Sequence, residues 1–316
     1  MADAPGAPTF TVVIPSYNYG RFLPGALGSV TAQNRDDIQV LLIDDASDDD
    51  TPQVARRYAE MVEYIRNEKN LGAGGAWGVG IRRARGKYLV KLDADDELLP
   101  GHLDAVERAF ESDAEVGMVL ASVLARQEGQ GGLEAEYVTD ADCTLGAAEF
   151  RRKLLGCLPF RMPGTALRRS ITVGRRGPDP ALYQIHDWEY FLRVCDGHKA
   201  ALLRKPSAVY RLHEKSISST ARQDNRLYKD IRRWLTVASE PGERYVSAAD
   251  RKILAGSCAC LLLAGFGSRL NPMSYLRFLP VYSQALRIAL SGGPAQVGRM
   301  HRALFRRFAK LPETDT

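Results

Sequence analysis

The chain has 316 residues, enough for one sizeable core with an appendage or for two modest domains. Hydrophobic residues make up 45% and charged residues 26%, the balance of an ordinary globular protein rather than a disordered or fibrous one. Forty-three basic against 38 acidic residues give a net charge of +5, too mild to point to nucleic acid, and no paired CxxC spacing or RNP-like aromatic run accompanies it.

Residues 10–15 read as a strand that stops at Pro15. The polar turn Ser16-Tyr17-Asn18-Tyr19-Gly20 follows, and Phe22, Leu23, Ala26, Leu27 and Val30 then recur at helical spacing. A second strand over 39–43 runs into Asp44-Asp45, and Thr51-Pro52 opens a helix with threonine as cap. A third strand covers 62–66, a loop rich in asparagine and glycine 67–75, and a helix 76–85. A fourth strand over 87–92 ends in Asp93-Ala94-Asp95-Asp96-Glu97. The alternation of strand and helix predicts an α/β fold, a mostly parallel sheet covered by helices on both faces.

Further along, 103–110 reads as helix, 116–124 as strand, 146–156 as helix and 159–169 as a loop. In 184–195, Trp188, Phe191, Leu192 and Cys195 form one apolar helical face with Asp187 at its start. By position Asp187 serves as an N-cap or as a functional carboxylate at the edge of the core. A strand over 201–210 leads into Arg211-Leu212-His213. From Asp224 the pattern turns helical, over 226–238, 248–264, 272–290 and 295–310. The last of these opposes an apolar stripe to a basic face, which suits either an anionic membrane surface or packing on the body with a solvated basic side.

Five cysteines, an odd number at spacings that match no zinc pattern, are expected to be reduced buried thiols. Residues 1–8 lack a basic-then-apolar signal pattern, and no apolar run reaches the ~18 residues of a spanning helix. The expectation is a cytoplasmic protein, with peripheral membrane contact through 295–310 as the open alternative.

Two strand ends carry the chemistry. Asp93 and Asp95, two apart, can both face a hard divalent ion and the oxygens it carries, or simply cap a solvated turn. With Asp44 and Asp45 at a second strand end, a nucleotide with its metal explains the pairs better than chance, because an aspartate accepts an imide N–H or ribose hydroxyls.

Taken together, Val13-Ile14-Pro15-Ser16-Tyr17-Asn18, Leu42-Ile43-Asp44-Asp45, Asn70-Leu71-Gly72, Leu92-Asp93-Ala94-Asp95-Asp96, His186-Asp187-Trp188 and Tyr210-Arg211-Leu212-His213 resemble the inverting family 2 glycosyltransferases of GT-A fold, over residues 10–218. The resemblance implies a GT-A domain over 1–222 with a helical region over 223–316. It implies that Pro15, Ser16, Tyr17 and Asn18 line a nucleotide pocket, and that Asp45 with Asp44 binds base or ribose. Asn70 and Gly72 belong to the same donor pocket. Asp93 and Asp95 would hold ribose and metal, Asp187 would be the general base, and His213 with Arg211 would close on metal and diphosphate. The implied partner is a nucleoside diphosphate sugar, UDP- or dTDP-linked, with an acceptor the sequence does not specify and no nucleic acid. The implied cofactor is Mg²⁺ or Mn²⁺, with His213 favouring Mn²⁺. A nucleotidyltransferase or a non-catalytic nucleotide-binding module of the same fold is the alternative. Two departures stand out. Trp77 sits where the family often has an arginine near the donor, and His186 replaces the usual acidic residue before the base.

Overall fold

A computed structural model of the chain describes residues 6–129, 131–156, 162–217 and 226–237, together with 247 and 250. The chain divides into two compact units, 1–151 with 159–220, and 152–158 with 221–316. In the second unit the described helix, Arg226–Val237, buries Ile231 and Trp234. The expected helices over 248–264, 272–290 and 295–310 lie outside the described residues.

The first unit opens with β1 (Phe10–Ser16), α1 (Leu23–Thr31), β2 (Ile38–Asp44), α2 (Thr51–Arg57), β3 (Val62–Arg66), α3 (Gly72–Arg83) and β4 (Tyr88–Lys91). β1 lies parallel between β2 and β4, and β3 lies parallel outside β2. The order β3-β2-β1-β4 reverses direction between β1 and β4, the switch point where open α/β sheets leave a crevice at their strand ends. β1 is buried along its length, at every residue but Pro15. Val12 and Ile14 pack with Leu27, Leu42, Val90 and Val106 in one core.

Beyond β4 come β5 (Glu97–Leu98), α4 (His102–Ser112), β6 (Val116–Gln127), β7 (Glu134–Glu136), β8 (Cys143–Leu145), α5 (Ala147–Leu155), β9 (Ala166–Arg168), α6 (His186–Val194) and β10 (Lys199–Leu212). Among the described residues the ten strands form one sheet, β3-β2-β1-β4-β9-β6-β10-β5, with β7 beside β6 and β8 beside β10. The sheet is mixed: parallel through β4, then with antiparallel pairs of β9 to β4 and to β6.

Three local expectations change. The stretch 159–169 is not all loop, because β9 fills the gap between β4 and β6. The α3 helix begins at Gly72, inside the expected loop, because the Asp45 carboxylate accepts the Leu71 N–H and the Asn70 side chain accepts the Gly72 N–H. These bonds satisfy the first donors of a glycine-rich helix that propensity disfavours. Thr51 is the first helical residue and not the cap, and Asp49 accepts its N–H instead.

The start of α4 is fixed by a buried imidazole. His102 Nε2 donates to the Gly164 carbonyl at 3.0 Å, so Nδ1 accepts from the Ser207 hydroxyl at 2.8 Å. Gly164 has φ +74°, and a Cβ there would meet His102 Cε1 at 2.5 Å. Burial lowers the His102 pKa from 6.5 to about 4, although the hydrogen bonds to Gly164 and Ser207 oppose the shift. Between these values the unfolded chain binds the proton and the folded chain does not. The contribution is therefore fully present above pH 6.5 and is lost as pH falls toward 4, on the order of 3 kcal/mol. Urea midpoints measured from pH 7.5 to pH 4 should fall across this window, and His102→Gln should flatten the fall.

Candidate functional site

The switch point gathers the acidic strand ends, and the chain compensates each carboxylate in its own way. Asp44, at the end of β2, is fully buried. It accepts the Ser47 N–H on Oδ1 and the Tyr64 hydroxyl and Arg66 guanidinium on Oδ2. Asp44 was expected beside Asp45 at the nucleotide, but its oxygens are taken up in closing the loop after β2. Asp45 accepts from Asn67 Nδ2 at 2.7 Å and from the Leu71 N–H, which braces the loop before α3. Asn18 adopts φ 59° and laces the two loops together. Its N–H donates to Ser47 Oγ and its Oδ1 accepts the Asp48 N–H. Ser16 Oγ is buried without a partner among the described residues, and Tyr17 is exposed beside it.

At the end of β4, Lys91 is only 4% exposed, and its ammonium grips both oxygens of Asp93 at 2.6 and 2.7 Å. Burial opposes that charge, but the negative charges of Asp93 and Asp187 outweigh it and raise the Lys91 pKa. Asp96 is buried. Its Oδ1 accepts the Arg211 N–H, and Oδ2 has no partner among the described residues. Burial, then the charges of Asp95 and Asp93, push the Asp96 pKa well up.

β5 and β10 bring the second half of the site to this turn. The His213 side chain is fully buried, and its Nε2 lies 2.9 Å from Asp95 Oδ2. Phe22 and Tyr19 pack on the imidazole, with centroids 4.7 and 5.8 Å away. Burial, then the Asp95 and Asp93 charges, raise the Tyr19 phenol pKa. Arg211 donates to the Asp95 carbonyl and pairs with Glu97. The guanidinium expected on diphosphate thus buttresses the acidic turn.

Asp95 and His213 offer an oxygen and a nitrogen side by side, a donor set that suits Mg²⁺ or Mn²⁺ when substrate oxygens and water complete the shell. Among the described residues no three His, Cys, Asp or Glu converge as a metal cluster. Asp93, expected as a further ligand, is turned to Lys91.

On α6 every residue is buried except Asp187. Asp187 lies in the first turn, one residue inside the helix, and accepts the Trp188 N–H. The N-cap position is Ile185, so Asp187 is not the N-cap residue, although its carboxylate takes up one first-turn N–H. The neighbouring His186 donates from Nδ1 to the Tyr183 carbonyl, and burial first, with the Lys91 charge adding to it, holds its pKa down.

α3 approaches this helix closely at Gly74 and β1 at Gly80. A Cβ on Gly74 would lie 2.9 Å from His186 Cβ, and one on Gly80 would lie 2.2 Å from Val13 Cγ1. Trp77, 1% exposed, sets its indole edge-on to Tyr190 and Phe191. Lys91, Tyr19, Phe22 and Glu97 carried no role in the sequence reading. A lysine two residues before an acidic pair on an otherwise apolar strand was the available signal for Lys91.

Residues 11–171 match Glycosyl transferase family 2. The chain belongs to this family. An uncharacterized glycosyltransferase of Haemophilus influenzae is 27% identical over 205 residues, 65% of each chain, so the match spans just under two thirds of that relative. Among solved structures, residues 1–349 of Staphylococcus aureus TarS in complex with UDP-GlcNAc superpose with a TM-score of 0.65 at 17% identity, over 89% of this chain and 81% of that fragment. The mannosyltransferase PcManGT of Pyrobaculum calidifontis, in complex with GDP-Man and Mn²⁺, gives 0.53 at 18% identity, over 95% of this chain and 87% of the other. These likenesses establish the GT-A fold for the family 2 chain.

Trp77 is core in this family member. Trp77→Ala should cost about 3–5 kcal/mol, the range for emptying an aromatic site. Chemical denaturation checks this, and a loss below about 1 kcal/mol would contradict the packing described.

Proposed function

We propose that the chain is an inverting glycosyltransferase that moves a sugar from a pyrimidine nucleoside diphosphate donor to a hydroxyl or amine. The observation that carries the reading is Asp187. It is the one residue of a buried helix left open, and its charge reaches the same ammonium that holds Asp93. A base and a donor-binding strand end are thereby set around one point, the positioning that in-line displacement at an anomeric carbon needs.

In this reading Tyr17 and the buried Ser16 hydroxyl meet the nucleoside, with Pro15, Asn18, Asn70 and Gly72 shaping the loops around it. Asp45 accepts the imide N–H of the base. TarS in its UDP and UDP-GlcNAc complexes supports a uridine donor, while PcManGT with GDP-Man, a purine nucleotide, supports only the broader class of nucleoside diphosphate sugars. Asp93, about one-third exposed beyond its ion pair, accepts ribose hydroxyls. Asp95 and His213 would hold Mn²⁺ or Mg²⁺ against the diphosphate, where a divalent ion neutralises charge that grows as the leaving group departs. Asp187 takes the proton of the acceptor as it attacks. Arg211 keeps the turn in place through Glu97.

A thermal-shift panel of UDP, dTDP and GDP with and without Mn²⁺ tests the donor assignment, because ligands that bind the folded state raise its stability. UDP with Mn²⁺ should give the largest shift, and Asp95→Asn should abolish the metal-dependent part while leaving the unliganded melting temperature within about 2 °C. Asp187→Asn should keep the nucleotide shift and lower sugar transfer by roughly 10²–10⁴-fold, the usual contribution of a general base. Near wild-type transfer by this variant would remove Asp187 from the role.

A further inference from the structure

We propose that Lys91 is a positioning residue that reserves Asp93 for the nucleoside by withholding its carboxylate from the divalent ion. The inference rests on the glycosyltransferase reading and assigns a function to a residue that reading leaves idle. Lys91 is the last residue of β4, opposite Val13 on β1, with its N–H and carbonyl bonded to the Thr165 and Gly164 backbone. That anchorage fixes the root of the side chain. Its ammonium then meets both Asp93 oxygens within 2.7 Å, the two-oxygen grip that a metal ligand would have to give up.

The surroundings explain why the cation stays. The Lys91 ammonium sits 5.9 Å from the centroid of the Trp77 ring, on a side of α3 packed against α6. The carboxylates of Asp93, Asp187 and Asp96 all favour its charge. Asp95, two residues on, is free of this grip and faces His213 instead. Two carboxylates at one turn are thus sorted by partner, one to an ammonium and one to an imidazole. A bare pair of aspartates would let both enter the metal shell and draw the ion toward the ribose side. The ammonium prevents it, and Asp93 keeps its open face for hydroxyl donors.

The test measures Mn²⁺ binding by loss of the free-ion electron paramagnetic resonance signal, with Mn²⁺ alone and with UDP added, on the full chain and without any turnover. Melting curves establish that each variant is folded. Lys91→Met preserves side-chain length and leaves Asp93 able to take water, since it is about one-third exposed, so folding should survive. Lys91→Met should tighten Mn²⁺ binding about tenfold as Asp93 joins the shell. Asp93→Asn alone should leave the Mn²⁺ dissociation constant within about twofold, and Lys91→Met with Asp93→Asn should lose the gain, as a double-mutant cycle requires. Should Lys91→Met melt before measurement, Asp93→Asn alone still decides. A tenfold loss of Mn²⁺ affinity in Asp93→Asn with Lys91 intact makes Asp93 a ligand and overturns the inference. Unchanged Mn²⁺ affinity in a folded Lys91→Met overturns it too, while the nucleotide–metal reading stands. No UDP-dependent Mn²⁺ binding in any folded protein, wild type included, instead overturns the reading of the site and the inference with it.

Discussion

Five carboxylates crowd the ends of two parallel strands that flank β1, and a sheet end can hold them only if each has a compensating group. Asp44 has Tyr64, Arg66 and the Ser47 N–H. Asp45 has Asn67 and the Leu71 N–H, Asp93 has Lys91, and Asp95 has His213. Asp96 has the Arg211 N–H. The compensation differs in what it leaves free. Asp44 is closed by protein on both oxygens and has no exposed side chain, whereas Asp93, though Lys91 meets both its oxygens, and Asp95 remain partly exposed. Acids within one or two residues of each other thus differ in what their partners leave exposed.

The second constraint is the depth of α6. A helix buried on all sides needs neighbours that approach closely, and α3 meets it with glycine at Gly74 and with the flat indole of Trp77. Its buried ion pair is tied into the chain. Glu189 and Arg193 pair one turn apart, and Arg193 further donates to the Arg176 and Gly177 carbonyls, tying down the segment that leads into the helix. This packing holds Asp187 still at the one open position. It also seats His186 in the space that a glycine at position 74 leaves open, and Trp77 in the core.

The elements built on period and turn chemistry were legible. Leu23, Ala26, Leu27 and Val30 face the core as their spacing required, and the strand ends at Asp44 and Asp93 lie on either side of β1. The three-residue β9 was not, because a strand that short carries no period and exists only to fill a gap in the sheet. The start of α3 was hidden behind glycines whose use is close approach, which outweighs their poor helix propensity. At the site, residue type announced the carboxylates but not their partners. Asp44 and Asp45 are adjacent in sequence and point to different tasks. Arg211 looked like a phosphate ligand until Glu97, more than a hundred residues away, was seen to hold it. Such long-range pairings leave no mark on a local pattern.

Those pairings also shape how the proposed chemistry handles charge. The cations at this strand end, Lys91 and Arg211, are each neutralised by a carboxylate of the chain itself, Asp93 and Glu97. A diphosphate entering here brings at least two negative charges into a setting already rich in aspartates, where like charges interact strongly because water is partly excluded. Recruiting either cation would expose the acid it now holds and gain little. A divalent ion between Asp95, His213 and the diphosphate adds positive charge without breaking an existing pair. On the proposed reading, metal dependence is therefore a consequence of ion pairs made within the chain. It should persist for any nucleoside diphosphate the base pocket admits, since it arises on the diphosphate side of the turn and not where the base is read.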